Sequence, residues 1–384
     1  MANEWRTGKL GELVAFKTGK LDSNAAVPDG DYPFFTCSQE TLRTNTFSFD
    51  TECVLLAGNN ANGIYPLKYF HGKFDAYQRT YVVKPRDTEL LTTKFLYYAL
   101  RPKLSELRSF STGAATKFLT LTILNETEIQ VPPLPVQRRI AGILSAYDEL
   151  MENSQRRIRL LEAMARALYR EWFVHFRFPG HEKHPRVASP LGDIPQGWEV
   201  KKLKDACHLT MGQSPKSEFY NETGEGQPFH QGVTNFGERF PTDRLFCTVE
   251  GRVAEAGDIL FSVRAPVGRM NIADKKIIIG RGLSAIRHKD GHQAFLWEQL
   301  RNRFTEDDMM GNGAIFAAVT KDDMQGIELI CPPPPIVVAA TKHFEPIHTE
   351  LDALTKQITN LRKTRDLLLP RLLSGSIELA TEKN

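Results

Sequence analysis

Two long stretches of this chain repeat their apolar residues at alternating steps of three and four. In the second, Phe344, Ile347, Leu351, Leu354, Ile358, Leu361, Arg365, Leu368 and Leu372 keep that rhythm; in the first, Leu144, Tyr147, Met151, Ser154, Ile158, Leu161, Ala165, Leu168 and Trp172 do the same. Such spacing predicts a narrow apolar seam on a long helix, as in a coiled coil. Prolines fix where each helix begins, Pro132, Pro133 and Pro135 before the first and Pro332 to Pro335 before the second, because a missing N–H and a fixed φ stop the preceding strand. From Val136 to about Val174 the first helix would be a rod of about 58 Å at about 1.5 Å per residue. Each seam needs an apolar partner, and the nearest is the other copy. The pattern therefore predicts an antiparallel helical pair.

The rest of the chain shows the same doubling. Gly113-Ala114 leads to Ile129-x-Val131-Pro132-Pro133-x-Pro135, and Gly313-Ala314 leads to Leu329-x-Cys331 and four prolines, at a constant offset of 200 residues. Phe95 to Leu100 and Phe295 to Leu300 keep that offset, whereas Trp5, Leu10 and Gly19 match Trp198, Leu203 and Gly212 at 193. Insertions thus fall between Gly19 and Phe95. There, Cys53 to Gly58 and Asp258 to Val263 each read as a short buried strand running into a polar loop, Gly58 to Gly63 in one copy and Arg264 to Gly268 in the other. A framework in register with unlike loops is the form expected of two copies with two specificities.

The predicted organisation is α/β, with two globular recognition domains separated by two long helices that form an antiparallel coiled coil with pseudo-twofold symmetry. The first domain is expected over 1–134, its helix over 135–178, a Pro-broken linker over 179–197, the second domain over 198–331, its helix over 332–376 and a tail over 377–384. The seam is assigned to Leu144, Tyr147, Met151, Ile158, Leu161, Leu168, Phe344, Ile347, Leu351, Leu354, Ile358, Leu361 and Leu368. Off the seam, Ile140, Ile143 and Leu160 are candidates for a partner-docking face, while flanking arginines and glutamates read as solvated.

Composition excludes several classes. With 41% hydrophobic and 25% charged residues and no apolar run of about 18, the chain reads as a cytoplasmic protein without a membrane span. Five scattered cysteines without Cys-x-x-Cys spacing indicate neither a disulfide framework nor a zinc site. His181-Glu182-Lys183-His184 has histidines three apart between Pro179-Gly180 and Pro185, where no helix is expected to form, so a solvated linker is the better reading than a metal site. Neither a phosphate-binding Gly-Lys-Ser/Thr loop nor a dinucleotide fingerprint is present. A net charge of +3 permits nucleic acid without requiring it.

With the repeat and seams established, particular phrases add to them: Leu191-Gly192-Asp193-Ile194-Pro195-Gln196-Gly197-Trp198, Val131-Pro132-Pro133-Leu134-Pro135-Val136-Gln137-Arg138-Arg139-Ile140, and Leu369-Pro370-Arg371-Leu372-Leu373-Ser374-Gly375. Together they resemble the specificity subunit of Type I restriction-modification systems, over nearly the whole chain. The resemblance implies a non-catalytic subunit in which each domain reads one half of a bipartite site in double-stranded DNA. It also implies two methyltransferase subunits, and restriction subunits for cleavage, with S-adenosylmethionine and ATP on those partners and no cofactor on this chain. Ile336 to Ala340 departs from the phrase at Val136 to Ile140, which suggests asymmetric docking.

Phosphates are held by Lys and Arg, and base edges are read by Arg, Lys, Asn and Gln. On predicted loops these are Lys17, Lys20, Asn59, Asn60, Asn62, Arg79 and Lys117 in the first domain, and Gln213, Lys216, Gln231, Asn235, Arg264 and Arg281 in the second. Arg264, directly after a buried strand and held by Pro266, suits bidentate contact with guanine; its repeat partner Asn59 suits adenine. Arg79 and Arg281 read as equivalent, so a shared scaffold or phosphate role fits them better than base reading. The rival readings are a self-sufficient modification or nuclease enzyme, which needs a catalytic domain for which no residues remain, and a protein-binding scaffold, which binding to random duplex pools would separate.

Overall fold

The computed structural model describes residues 5–60, 64–110, 117–305, 319–377 and 379. Its contacts divide into two units, Met1–Glu152 with Thr359–Asn384, and Asn153–Ile358. Each contains one head and one portion of each long helix.

In the first unit the head begins with β1 (Arg6–Lys9), α1 (Leu10–Leu13), β2 (Val14–Thr18), β3 (Tyr32–Phe35), β4 (Leu42–Thr44), β5 (Phe49–Ala57), β6 (Asn59–Asn60), β7 (Leu67–Ala76) and β8 (Thr80–Pro85). It continues with α2 (Thr93–Leu100), α3 (Lys103–Phe110), β9 (Lys117–Phe118), α4 (Leu121–Glu126) and β10 (Glu128–Val131), and then enters α5 (Leu134–Tyr169). A six-stranded sheet has the order β2-β8-β5-β7-β3-β4, and β1 closes on β10. The run Cys53 to Ala57 is buried at every position, as a strand covered on both faces must be. In β10 only Ile129 and Val131 are buried, the alternation of a half-covered strand.

The second head repeats this plan. It comprises β11 (Arg186–Val187), β12 (Ile194–Pro195), β13 (Glu199–Lys202), α6 (Leu203–Ala206), β14 (Cys207–Met211), β15 (Tyr220–Asn221), β16 (Gln227–His230), β17 (Phe246–Cys247), β18 (Val253–Ala254) and β19 (Ile259–Ser262). Then come β20 (Met270–Ile272), β21 (Ile277–Ile279), β22 (Leu283–His288), α7 (Gln293–Thr305), α8 (Lys321–Gly326), β23 (Glu328–Cys331) and α9 (Pro334–Leu373). Its sheets are β14-β22-β19-β20 and β15-β17-β16-β21-β18. The two offsets meet in one ladder: Arg6 pairs with Val131, and Glu199 pairs with Cys331. Thr120 and Thr320 cap α4 and α8 from equivalent positions. Gly19 and Gly212 are also equivalent in cause, because a Cβ would lie 1.8 Å from the Ala76 carbonyl oxygen in one head and 2.2 Å from that of Gly280 in the other.

The long helices follow the prolines, α5 spanning 36 residues and α9 spanning 40. Within the first unit the start of α5 lies against the end of α9: Val136 lines one cavity with Leu372, and Asp148 pairs with Arg365. Within the second unit the end of α5 meets the start of α9, with Trp172 edge-on to His343 and Arg157 paired with Glu350. Both arrangements are antiparallel. Every seam position assigned above is buried or half-buried. Arg365, the polar member of its seam, is buried because Asp148 Oδ1 accepts from its Nη1 at 2.5 Å.

Several expectations need correction. After Tyr169 the first rod ends in a π-helical turn, Arg170–Val174, short of the expected bound at 178, and Phe176 follows with φ 58°. Its ring meets Trp198 edge-on at 5.3 Å, a contact that holds this unfavourable backbone conformation in place. The segment expected as a solvated linker contains a short 3-10 helix, His181–Lys183, and the β11–β12 hairpin. Phe178 and Ile194 bury themselves beside Trp198, Phe173 and Phe295 in an aromatic core. Ile140 is fully buried among Val131, Leu144 and Leu369, so it cannot form part of a docking face. Ile143 is half-buried against the same core, whereas Leu160 is 60% exposed, with Met164 beside it at 58%.

The departure at Ile336 to Ala340 has an internal cause. Gln137 is buried with its amide satisfied, accepting from Thr92 N at 2.9 Å and donating to the carbonyls of Leu90 and Pro132. Its counterpart Val337 packs instead into the aromatic core. One copy closes the head-to-rod joint with an amide and the other with hydrocarbon.

Candidate nucleic-acid interface

Four separated segments of the first head converge through the backbone. Gly19 N donates to Thr80 O at 3.3 Å, Gly58 N to Arg79 O at 2.8 Å, and Leu119 N to Gly58 O at 2.8 Å. Lys17 and Lys20 are exposed beside this junction, and the Arg79 guanidinium lies over the Phe118 ring at 5.5 Å. Asn59 and Asn60 form a two-residue strand with Lys117–Phe118, so half of the expected polar loop is paired backbone. The Asn59 Oδ1 accepts from the Cys37 thiol at 2.9 Å. The side chains of Asn60 and Lys117, and all of Asn62, lie outside the described residues.

The second head assembles the same junction. Gly212 N donates to Leu283 O at 2.9 Å, Val263 N to Gly282 O at 3.0 Å, and Val319 N to Val263 O at 2.8 Å. These bonds place Val263 where Gly58 stands, and therefore Arg264 where Asn59 stands. They also correct one equivalence. Gly282, not Arg281, occupies the position of Arg79, because Ser262 pairs with Leu283 as Ala57 pairs with Thr80. Arg281 takes the place of Gln78.

Around this second junction, Gln213, Gln231, Arg264 and Arg281 are exposed and adjacent: Gln213 N donates to Ile279 O, Gly282 N to Gln231 O, and Arg281 N to Ser214 Oγ. Ser262 Oγ donates within the loop, lying 2.7 Å from Arg264 O and 2.6 Å from Pro266 O, which fixes the backbone that carries Arg264. Lys216 stands further out, 3.8 Å from Glu218, and Asn235 is half-buried at the end of a 3-10 turn. The sequence reading missed Cys37, Phe118 and Arg252, the last of which lines one cleft with Gln213 and Ser214. Of these only Phe118, an aromatic directly after Lys117, carried a visible signal. Burial pushes the Cys53 and Cys207 thiols up to about 12, which makes them inert packing groups.

At the joints with the rods, the repeat places polar pairs at identical offsets. Tyr98 Oη donates to Asp148 Oδ2 at 2.7 Å, and His348 Nε2 lies 2.9 Å from Glu298 Oε1. Burial, followed by the Asp148 bond, raises the Tyr98 phenol, so it remains a donor. Arg101 and Arg365 complete the first joint; Arg239 and Asp352 complete the second.

The two heads thus repeat one backbone junction and carry unlike side chains on it, Asn59 in the first and Arg264 in the second. The family model for the Type I restriction modification DNA specificity domain matches residues 2–163 and again 195–363. The chain belongs to that family and carries its domain twice. It is 34% identical over 264 residues to a protein of Methanocaldococcus jannaschii named for the specificity subunit of the type I restriction enzyme MjaX, covering 68% of this chain and 61% of that protein's length. It is 27% identical to the EcoDI specificity subunit of Escherichia coli, covering 93% of this chain and 84% of the other. The crystal structure of an S subunit from M. genitalium shares the fold, with a TM-score of 0.71 at 18% identity over 98% of this chain and 97% of that one.

Proposed function

We propose that this chain is the DNA-specificity subunit of a Type I restriction-modification complex, itself without catalytic residues, in which each head reads one half of a bipartite duplex site. The carrying observation is the shared junction: Gly58 and Val263 make the same two backbone bonds, yet the next residue is Asn59 in one head and Arg264 in the other. A scaffold that repeats its geometry and changes its polar side chains reads two different short sequences. In this reading Lys17, Lys20 and Arg79, and likewise Lys216, Arg252 and Arg281, meet phosphates, while Asn59, Gln213, Gln231 and Arg264 meet base edges. The α5 and α9 rods carry the docking faces for two methyltransferase subunits, which bring S-adenosylmethionine, and for restriction subunits, which bring ATP. Leu160 and Met164, exposed one turn apart, belong to such a face.

Co-expression with the partner methyltransferase, followed by sequencing of modified bases, tests this reading. The expected result is one bipartite motif, with replacement of residues 198–331 changing only one of its halves. Modification without a motif, or a motif that survives the replacement, would overturn it.

A further inference from the structure

The loop that follows the second head's reading residues does not end in solvent. Phe236 bridges Pro241, Gly237 N donates to Phe240 O at 3.1 Å, and Thr242 N donates to Asn235 O at 2.8 Å, so residues 235–242 close into a short hairpin with Arg239 near its tip. Arg239 is 7% exposed. Its guanidinium pairs with Asp352 of α9, lies 3.1 Å from His348 Nδ1, and covers the Trp297 ring at 5.6 Å. Because arginine cannot accept a hydrogen bond, His348 Nδ1 is the acceptor; its Nε2–H therefore donates to Glu298. One residue beyond the Arg239 tip, Phe240 sits under Lys356 Nζ at 5.3 Å. The other side of the hairpin is held by the head itself, through Ile272 N to Arg239 O at 2.9 Å and Asn271 Nδ2 to Gly237 O at 3.0 Å.

We infer that Arg239 is a positioning residue for recognition, a strap that fixes the angle of the second head's reading loop, residues 231–235, against the rod. The mechanical reason is what each attachment holds. The base of this head meets α9 at three points: His292 with Thr341, Phe295 with Phe344 in the aromatic core, and Glu298 with His348. These contacts hold the base of the head, not its reading loop. Asp352 lies four residues beyond His348, about 6 Å at about 1.5 Å per residue, and there Arg239 ties the loop's own hairpin to the rod, which resists rocking of the loop. In the first unit the equivalent joint, Tyr98 with Asp148, Arg101 and Arg365, is built from α2 and the rods; among the described residues its reading loops send no side chain to it.

This inference rests on the proposed reading of DNA by the heads. The test uses the full chain assembled with its partner methyltransferase and duplexes carrying the cognate site with the spacer at its natural length or changed by one base pair. With Arg239→Met, discrimination against the altered spacers should fall by about tenfold, as should discrimination at the second half-site. Discrimination at the first half-site should be unchanged. Asp352→Asn, which leaves the Arg239–His348 bond, should show the same pattern more weakly and serves if Arg239→Met does not fold. Undiminished spacer discrimination in a folded variant, or equal losses at both half-sites, would overturn the strap. A wild-type complex with no spacer or sequence preference would instead overturn the proposed function.

Discussion

Replacement of Arg264 by alanine isolates the contribution of one side chain to reading. The backbone that carries it should survive the change, since Val263 is bonded on both sides to Gly282 and Val319 and Ser262 Oγ holds the turn, none of which involves the guanidinium. The side chain itself is exposed, so little packing is lost. What disappears is a planar donor able to grip a guanine edge at two points, a contact that contributes about 1–3 kcal/mol to discrimination, or about 5- to 150-fold in relative affinity. In competition binding with the assembled complex, Arg264→Ala should lose that factor at one base pair of one half-site, while a change at the other half-site costs what it did before. Arg264→Lys should recover affinity and its salt dependence but little discrimination, because a lysine offers charge without the fork. A uniform loss across all sequences would assign Arg264 to a phosphate, and no loss would remove it from the interface.

Other outcomes follow from packing and charge. Gly212→Ala should destabilise the second head by about 3 kcal/mol in denaturant unfolding, since its Cβ would meet three backbone oxygens within 2.8 Å. Asp148→Ala strips partners from Tyr98, Arg101 and the buried Arg365. A cost of about 2–3 kcal/mol is expected, below that of a fully buried pair because Asp148 is 27% exposed, and a thermal shift near zero would contradict the joint. Burial lowers the pKa of His230 from its ordinary 6.5, despite Asp243 at 3.1 Å, and burial with His292 lowers that of His288. The unfolded chain therefore binds protons that the folded one refuses, so stability is full above about pH 6.5 and declines as pH falls below it. The melting temperature should drop on acidification through that window, less steeply in His230→Gln, and equal slopes would refute the assignment.

Much of this architecture was written in periodicity. Proline stops and the three-four rhythm located both rods, and the offsets of 193 and 200 residues recur between the β1–β10 and β13–β23 ladders, although the pairing itself was not legible in the sequence. Ile140 misled because periodicity reports only the seam between rods, whereas near its start α5 is also covered by the head, which widens the buried stripe to Val136, Gln137 and Ala141. The Arg79–Arg281 equivalence failed by one residue, a shift that strand pairing decides and local sequence does not. Arg239 was invisible for the same reason. A charged residue in a loop reads as solvated until tertiary structure places an aspartate and a histidine around it.

The polar pairs at the joints limit how such a chain can be reassembled. Tyr98 with Asp148 and Glu298 with His348 stand at matching offsets but are chemically unlike. If recombination moved the second head without its own helix onto the first rod, Glu298 would face Asp148, two carboxylates across a half-buried joint; the reciprocal hybrid would set a phenol against an imidazole. A head therefore exchanges most readily together with the start of the helix that follows it, residues 134–148 or 334–348, which carries its polar partner, and crossovers at the prolines that separate the two should be the less viable ones.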